Sequence, residues 1–148
     1  MTDQEKISLA RYHVLQTSYI PTSPKKVLDS FEDLKGCLFT SVQNTKDEIV
    51  FTLTGGDQYK LYHNQDCCES VYVEDIIGDL SDLVGVPILI AEEACSHDHP
   101  EGYEKPEYEA ESFTWTFYKL ATIKGYVTIR FYGSSNGYYS ESVDFIKV

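Results

Sequence analysis

Two periodicities divide the chain. Up to about residue 24, Ile7, Ala10 and Val14 fall at helical spacing behind a Thr2-x-x-Glu5 capping box, and Pro21 and Pro24 close the segment. This pattern predicts a helical arm over 1–24, appended to a single compact β-rich domain over 25–148. Ser23-Pro24 forms an N-cap and first-turn pair. Val27, Leu28, Phe31 and Leu34 share one helical face, and Gly36 ends it.

From Cys37 the period becomes two. Leu38, Thr40 and Val42 alternate with Cys37, Phe39 and Ser41, and the runs EIVFTLT and QYKLYH flank Gly55-Gly56-Asp57. A three-residue loop there pairs Leu53 with Tyr59, Phe51 with Leu61 and Ile49 with His63, so His63 joins the apolar face. A two-residue loop would set Phe51 against Lys60 and turn the apolar set outward. Ser70 to Ile77 alternates as a strand. Asp79 caps a single turn through Leu80, Leu83 and Val84, ended by Gly85. Pro87 to Ala94 reads as a buried strand, and His97 to Glu111 as a long acidic loop. The C-terminal block reads as a three-stranded meander. A Lys124-Gly125 turn sets Leu120 against Ile129 and Tyr118 against Phe131. A Ser135-Asn136-Gly137 turn, with Gly137 left-handed, sets Val143 against Ile129 and Phe145 against Val127. Lys119 then lies beside Arg130, with Asp144 on the same face to offset the like charges. The expected class is α+β: a mainly antiparallel β-sheet of about six or seven strands with one or two short helices. The expected core holds Phe51, Leu61, Leu120, Val127, Ile129, Phe131, Val143 and Phe145.

Composition narrows the function classes. A chain of 148 residues suits one domain, and 24 acidic against 12 basic residues give a net charge of −12. That charge opposes direct binding to nucleic acid or anionic membranes, and it suits a basic protein surface. The start of the chain lacks the apolar stretch of a signal peptide, and the longest apolar run, Val84 to Ala91, is far short of the ~20 residues that cross a bilayer. Of the four cysteines, Cys67 and Cys68 are adjacent, and a disulfide between neighbours meets its required geometry poorly. The expectation is a reducing compartment, with free thiols or a metal site.

Three constellations carry chemistry. His63-Asn-Gln-Asp66-Cys67-Cys68-Glu69 stands where a strand ends, and Cys95-Ser-His97-Asp-His99 follows a buried strand. If both strands end at one edge, His63 and Cys67 or Cys68, with Cys95 and His97 or His99, supply four ligands for a structural zinc that pins the acidic loop. The same residues offer an alternative, His63 activating Cys67 or Cys68 as the nucleophile of a small hydrolase or nucleotide-modifying enzyme. No oxyanion-hole context or glycine-rich phosphate loop accompanies them. The third feature is carboxylate density: Glu92, Glu93, Asp98, Glu101, Glu104, Glu107, Glu109 and Glu111 fall within twenty residues. Such a surface imitates phosphates. Its expected partner-binding residues are Glu92, Glu93, Glu101, Tyr103, Glu104, Glu107, Tyr108 and Glu109, the tyrosines serving as anchors that stack on arginine.

With YHNQDCCESVYVEDIIGDL, PILIAEE and SFTWTFYKLATIKGYVTIRFYGSSNGYYSESVDF, the chain resembles, from about Phe31 to Val148, a family of small phage and prophage proteins known only as a domain of unknown function. His63, Asp66, Cys67, Cys68 and Glu69 match its motif, whereas the arm before residue 30 and the Cys95–His99 stretch are particular to this chain. The resemblance implies a compact domain encoded by mobile elements and a setting in the bacterial host cytoplasm. Several small acidic phage proteins of this type inhibit bacterial defence nucleases. By that analogy the expected function is a non-enzymatic anti-CRISPR protein that binds a CRISPR effector nuclease and blocks its DNA binding. A phage structural interaction module without a ligand is the third reading.

Overall fold

The structure is a computed structural model that describes residues 27–148. The expected helical arm lies outside the described residues. Among the described residues, eight strands make two four-stranded antiparallel sheets: β1 (Phe39–Asn44), β2 (Ile49–Leu53), β3 (Gln58–Tyr62) and β8 (Asp144–Lys147) in one, and β4 (Ser70–Ile77), β7 (Gly125–Ser135), β6 (Ser112–Thr122) and β5 (Ile90–Ser96) in the other. Their apolar faces share one core. It runs from Ile49, Phe51, Tyr59 and Leu61 to Tyr118, Leu120, Val127, Ile129 and Phe131. Six of the eight expected core residues are buried, and Val143 and Phe145 are half-buried against them. No helix among the described residues is long and apolar enough to cross a membrane.

The expected α component is absent from the described residues, which hold only two single-turn 3₁₀ helices, Phe31–Leu34 and Leu80–Leu83. The stripe Leu28, Phe31, Leu34 explains the first. Phe31 and Leu34 are fully buried, and a three-residue spacing fits one 3₁₀ turn as well as an α-helix. Before it the backbone is drawn elsewhere: Leu28 N–H donates to the Tyr59 hydroxyl (3.0 Å), and Asp33 Oδ2 accepts from the N–H of both Asp29 and Ser30 (3.0 Å each). A short helix that gains little from propagation yields to such contacts. The second turn is as the sequence predicts, with Asp79 Oδ1 accepting from Ser81 N–H at 2.9 Å and Gly85 at φ +83° behind it.

Both tight turns have their expected lengths but lie one residue earlier. Thr54-Gly55-Gly56 is the first loop, closed by Leu53 N–H donating to Asp57 O (2.8 Å). Phe51 therefore faces Tyr59 and Ile49 faces Leu61, and His63 falls beyond the paired residues. A shift of two keeps every side chain on its face, so the hydrophobic pattern cannot detect it. Backbone conformation decides instead. The last residue of a three-residue loop is left-handed, and Gly56 (φ +98°) takes that position where the expected register would have placed Asp57. The second turn is Ile123-Lys124, so Leu120 faces Val127 and Tyr118 faces Ile129. Gly125 serves packing: a Cβ there would lie 2.6 Å from Asp82 Oδ2. Lys119 faces Thr128 and Arg130 faces Phe117, so the expected Lys119–Arg130 pair does not form.

The meander ends after two strands. Beyond the Gly137 turn (φ +89°), the chain crosses between the sheets, and β8 pairs with β3, setting Phe145 against Leu61 and Asp144 against Tyr62. Val143 and Phe145 thus reach the core from the other sheet, not opposite Ile129 and Val127. Gly133 makes the crossing possible, since a Cβ at that position would meet Glu141 O at 2.8 Å. Glu141 fastens the crossing segment by accepting from the hydroxyls of Thr114 (2.8 Å) and Ser135 (2.6 Å).

Candidate functional site

Loop 97–111 joins β5 to β6, whose outer faces pair Ser96 with Trp115. Along β6 the residues Phe113, Trp115 and Phe117 alternate outward while Tyr118 and Leu120 face the core, so this strand is apolar on both sides and its outer face needs a cover. The loop supplies it. His99 stacks on Phe113 (centroids 4.1 Å, interplanar 7°) and Tyr103 (4.8 Å), while Tyr103 meets Trp115 edge-on at 5.0 Å. Trp115 also packs on Tyr132 at 4.7 Å and is fully buried. The indole N–H of Trp115 donates to His99 Nδ1 at 3.2 Å. Because an indole only donates, Nδ1 is the bare nitrogen, and Nε2 carries the proton it gives to Glu109. Beneath the cluster, the Arg130 guanidinium sits 5.1 Å from the Trp115 ring and is ion-paired with Glu74, the extra residue of a bulge in β4.

This latch sorts the expected partner-binding residues. Glu101, Glu104 and Glu107 are exposed, and Tyr108 is 86% exposed. Glu109 is exposed but holds His99. Tyr103 is half-buried inside the latch, so it fixes the loop rather than serving as an outward anchor. Glu92 and Glu93 lie on opposite faces of β5. Glu92 is cross-strand from Lys119 on the outer side, whereas Glu93 accepts the Tyr118 hydroxyl (3.0 Å) on the core side. Burial, with Glu93 adding to it, pushes the Tyr118 phenol well above its ordinary range, so it stays a donor. Sequence reasoning missed His99, Phe113, Trp115 and Tyr132 as the latch. The two-sided apolar run SFTWTFY was the signal for it.

The expected metal ligands divide between two places. His63 Nε2 contacts Glu69 Oε2 at 2.7 Å, and its Nδ1 contacts Ser142 O at 2.7 Å. Cys67 and Cys68 are bonded to each other, where the sequence reading expected free thiols. Cys95 is an exposed free thiol 3.9 Å from Thr116 Oγ1, and His97 Nδ1 is 3.4 Å from Phe113 O. Among the described residues, no three His, Cys, Asp or Glu side chains form a group that could hold a metal ion.

What the first cluster does is fold its own loop. The Glu69 side chain is fully buried and accepts from Asp66 N–H (3.1 Å), Cys67 N–H (2.8 Å) and Gln65 Nε2 (3.1 Å) besides His63. Burial opposes its charge but is outweighed by these bonds, from Cys67, His63 and Asp66 in that order, and the carboxyl is held at about 2. A folded value below the ordinary 4.5 means stability that is fully present above pH 4.5 and lost as pH falls towards about 2. Glu69→Gln is therefore expected to be less stable than wild type near neutrality and to lose less stability on acidification. Urea midpoints at about pH 6 and about pH 3 check it, and equal acid losses in the two proteins would contradict it.

The comparisons with known proteins bear on this same stretch. Neither the curated proteins nor the solved structures contain a match to the chain. A family model does match, over residues 32–145, nearly the span of the resemblance and inclusive of both the Glu69 loop and the latched acidic loop. The chain belongs to the domain of unknown function family DUF7448.

Proposed function

We propose that this protein is a non-enzymatic, phage-encoded inhibitor that presents its acidic loop to the basic nucleic-acid channel of a bacterial defence nuclease, a CRISPR effector in particular. The observation that carries the reading is the latch: Tyr103 and His99 tie loop 97–111 to the sheet while Glu101, Glu104, Glu107 and Tyr108 remain exposed. A loop ordered in advance loses little entropy on binding. Its carboxylates, on a chain of net charge −12, steer it to a positive surface. A CRISPR effector holds its guide–target heteroduplex by backbone shape in a positively charged channel, and an acidic surface competes there without copying a base sequence. Tyr108 takes the anchoring role, stacking on an arginine of the channel.

The test is inhibition of target-DNA binding across a panel of purified effector–guide complexes. The expected result is stoichiometric loss of DNA binding by one effector class, with no chemical change in effector, guide or DNA. Association should slow at least about tenfold between ~50 and ~300 mM salt. Undiminished DNA binding by every effector at ~10 μM protein, a concentration that saturates even micromolar sites, would reject the reading.

A further inference from the structure

At the roots of the acidic loop lies a cavity of about 260 Å3, between the core-side residues of β5 and β6 and the segment that crosses between the sheets. Its wall includes Glu93 and Cys95 near the end of β5, Thr114 near the start of β6, and Ser140, Glu141 and Ser142 of the crossing segment. Among the described residues, two carboxylates and several hydroxyls line it, and no cationic side chain does. Among the described residues the partners of both carboxylates are hydroxyls: Tyr118 for Glu93, and Thr114 and Ser135 for Glu141. Glu93 uses only Oε1 in this way, so its second oxygen remains as an acceptor. The rest of the lining is mainly apolar, Val143 included, so the site suits a side chain with a cationic end on an apolar stem. Its volume is below the ~300–1,000 Å3 of pockets for drug-sized ligands, so it suits one side chain rather than a cofactor.

We infer that this cavity is a socket for one arginine side chain of the basic partner. The inference rests on the proposed function for the partner being a basic protein; the cation-binding chemistry of the socket stands on the cavity alone. A guanidinium suits it better than an ammonium, because its planar fork offers five donors to carboxylate and hydroxyl acceptors and is less strongly hydrated. Position supports the same occupant. Cys95 and Thr114 flank the two ends of loop 97–111, so a chain drawn in by the loop carboxylates arrives beside the cavity mouth.

The experiment titrates N-acetyl-arginine amide into the 15N-labelled full chain, with the uncharged N-acetyl-citrulline amide as its isosteric control. Saturable amide shifts are expected at residues 93–95, 114–116 and 140–143, with millimolar affinity at least about fivefold tighter for arginine than for citrulline. Glu93→Gln, an exposed position, should weaken arginine binding at least about threefold while leaving the rest of the spectrum in place. A variant with the loop glutamates 101, 104, 107 and 109 changed to glutamine should keep these shifts, which separates the socket from the loop. Loss of nuclease binding by that variant with the socket shifts intact supports both assignments. Equal shifts from arginine and citrulline amides in the wild-type protein, or shifts that never saturate, would overturn the socket whatever the loop does.

Discussion

Phe131→Ala is expected to destabilise the protein by about 3–5 kcal/mol, the range for removing a buried aromatic ring from a packed core. Phe131 is 1% exposed and lies on the core face of β7, between Val73 of β4 and Thr116 of β6 in the sheet. Its ring meets Tyr118 edge-on at 5.9 Å, and Tyr118 in turn meets Phe31 at 4.7 Å. One ring thus supports a chain of contacts that reaches the first 3₁₀ turn and, through Phe31 and Phe51, the opposite sheet. The cavity left by the ring adds to the lost burial. Urea unfolding followed by the single tryptophan should show a lower midpoint at an unchanged slope. Tyr138→Ala, at an 84% exposed residue, is the control and should change stability by no more than about 0.5 kcal/mol. A Phe131→Ala loss below about 1 kcal/mol would mean that the two sheets do not share this core.

Local pattern made some of this fold legible. Ser70–Ile77 forms a strand with the expected bounds, Asp79 caps the expected turn, and residues 97–111 form the expected loop. Each depends on neighbours in sequence. Choices between distant partners were not legible. The final strand pairs equally well by pattern with β7 or with β3, and the decision rests on Gly133, whose missing Cβ lets Glu141 cross the sheet. Turn placement was hidden for a similar reason, since a two-residue shift leaves every face unchanged. The stripe Leu28, Phe31, Leu34 misled because three-residue spacing serves both kinds of helix.

The candidate site divides in the same way. Carboxylate density is plain in the sequence, but which groups face outward depends on the latch. Tyr103 and Tyr108 are alike by pattern, yet one is packed against His99 and Trp115 and the other is exposed. Counting cysteines and histidines suggested one four-ligand site. In the fold Cys67 is bonded to Cys68, and His63 lies against Glu69 and Ser142. Spacing along a chain cannot report such commitments.

The second large effect concerns the loop. Changing Glu101, Glu104, Glu107 and Glu109 together to glutamine removes four charges and no volume, so nuclease association is expected to slow at least about tenfold. Glutamine at 109 keeps an oxygen to accept the His99 N–H, so the latch should persist. Trp115 reports on it directly, being the only tryptophan and buried within the latch. An unchanged emission spectrum shows that the loop is still docked. Surface plasmon resonance of wild type and this variant against the nuclease, at low and at physiological salt, is then the direct measurement. The account predicts slower association for the variant, a gap that narrows as salt rises, and the same tryptophan emission. Equal association rates and affinities for the two proteins would contradict it.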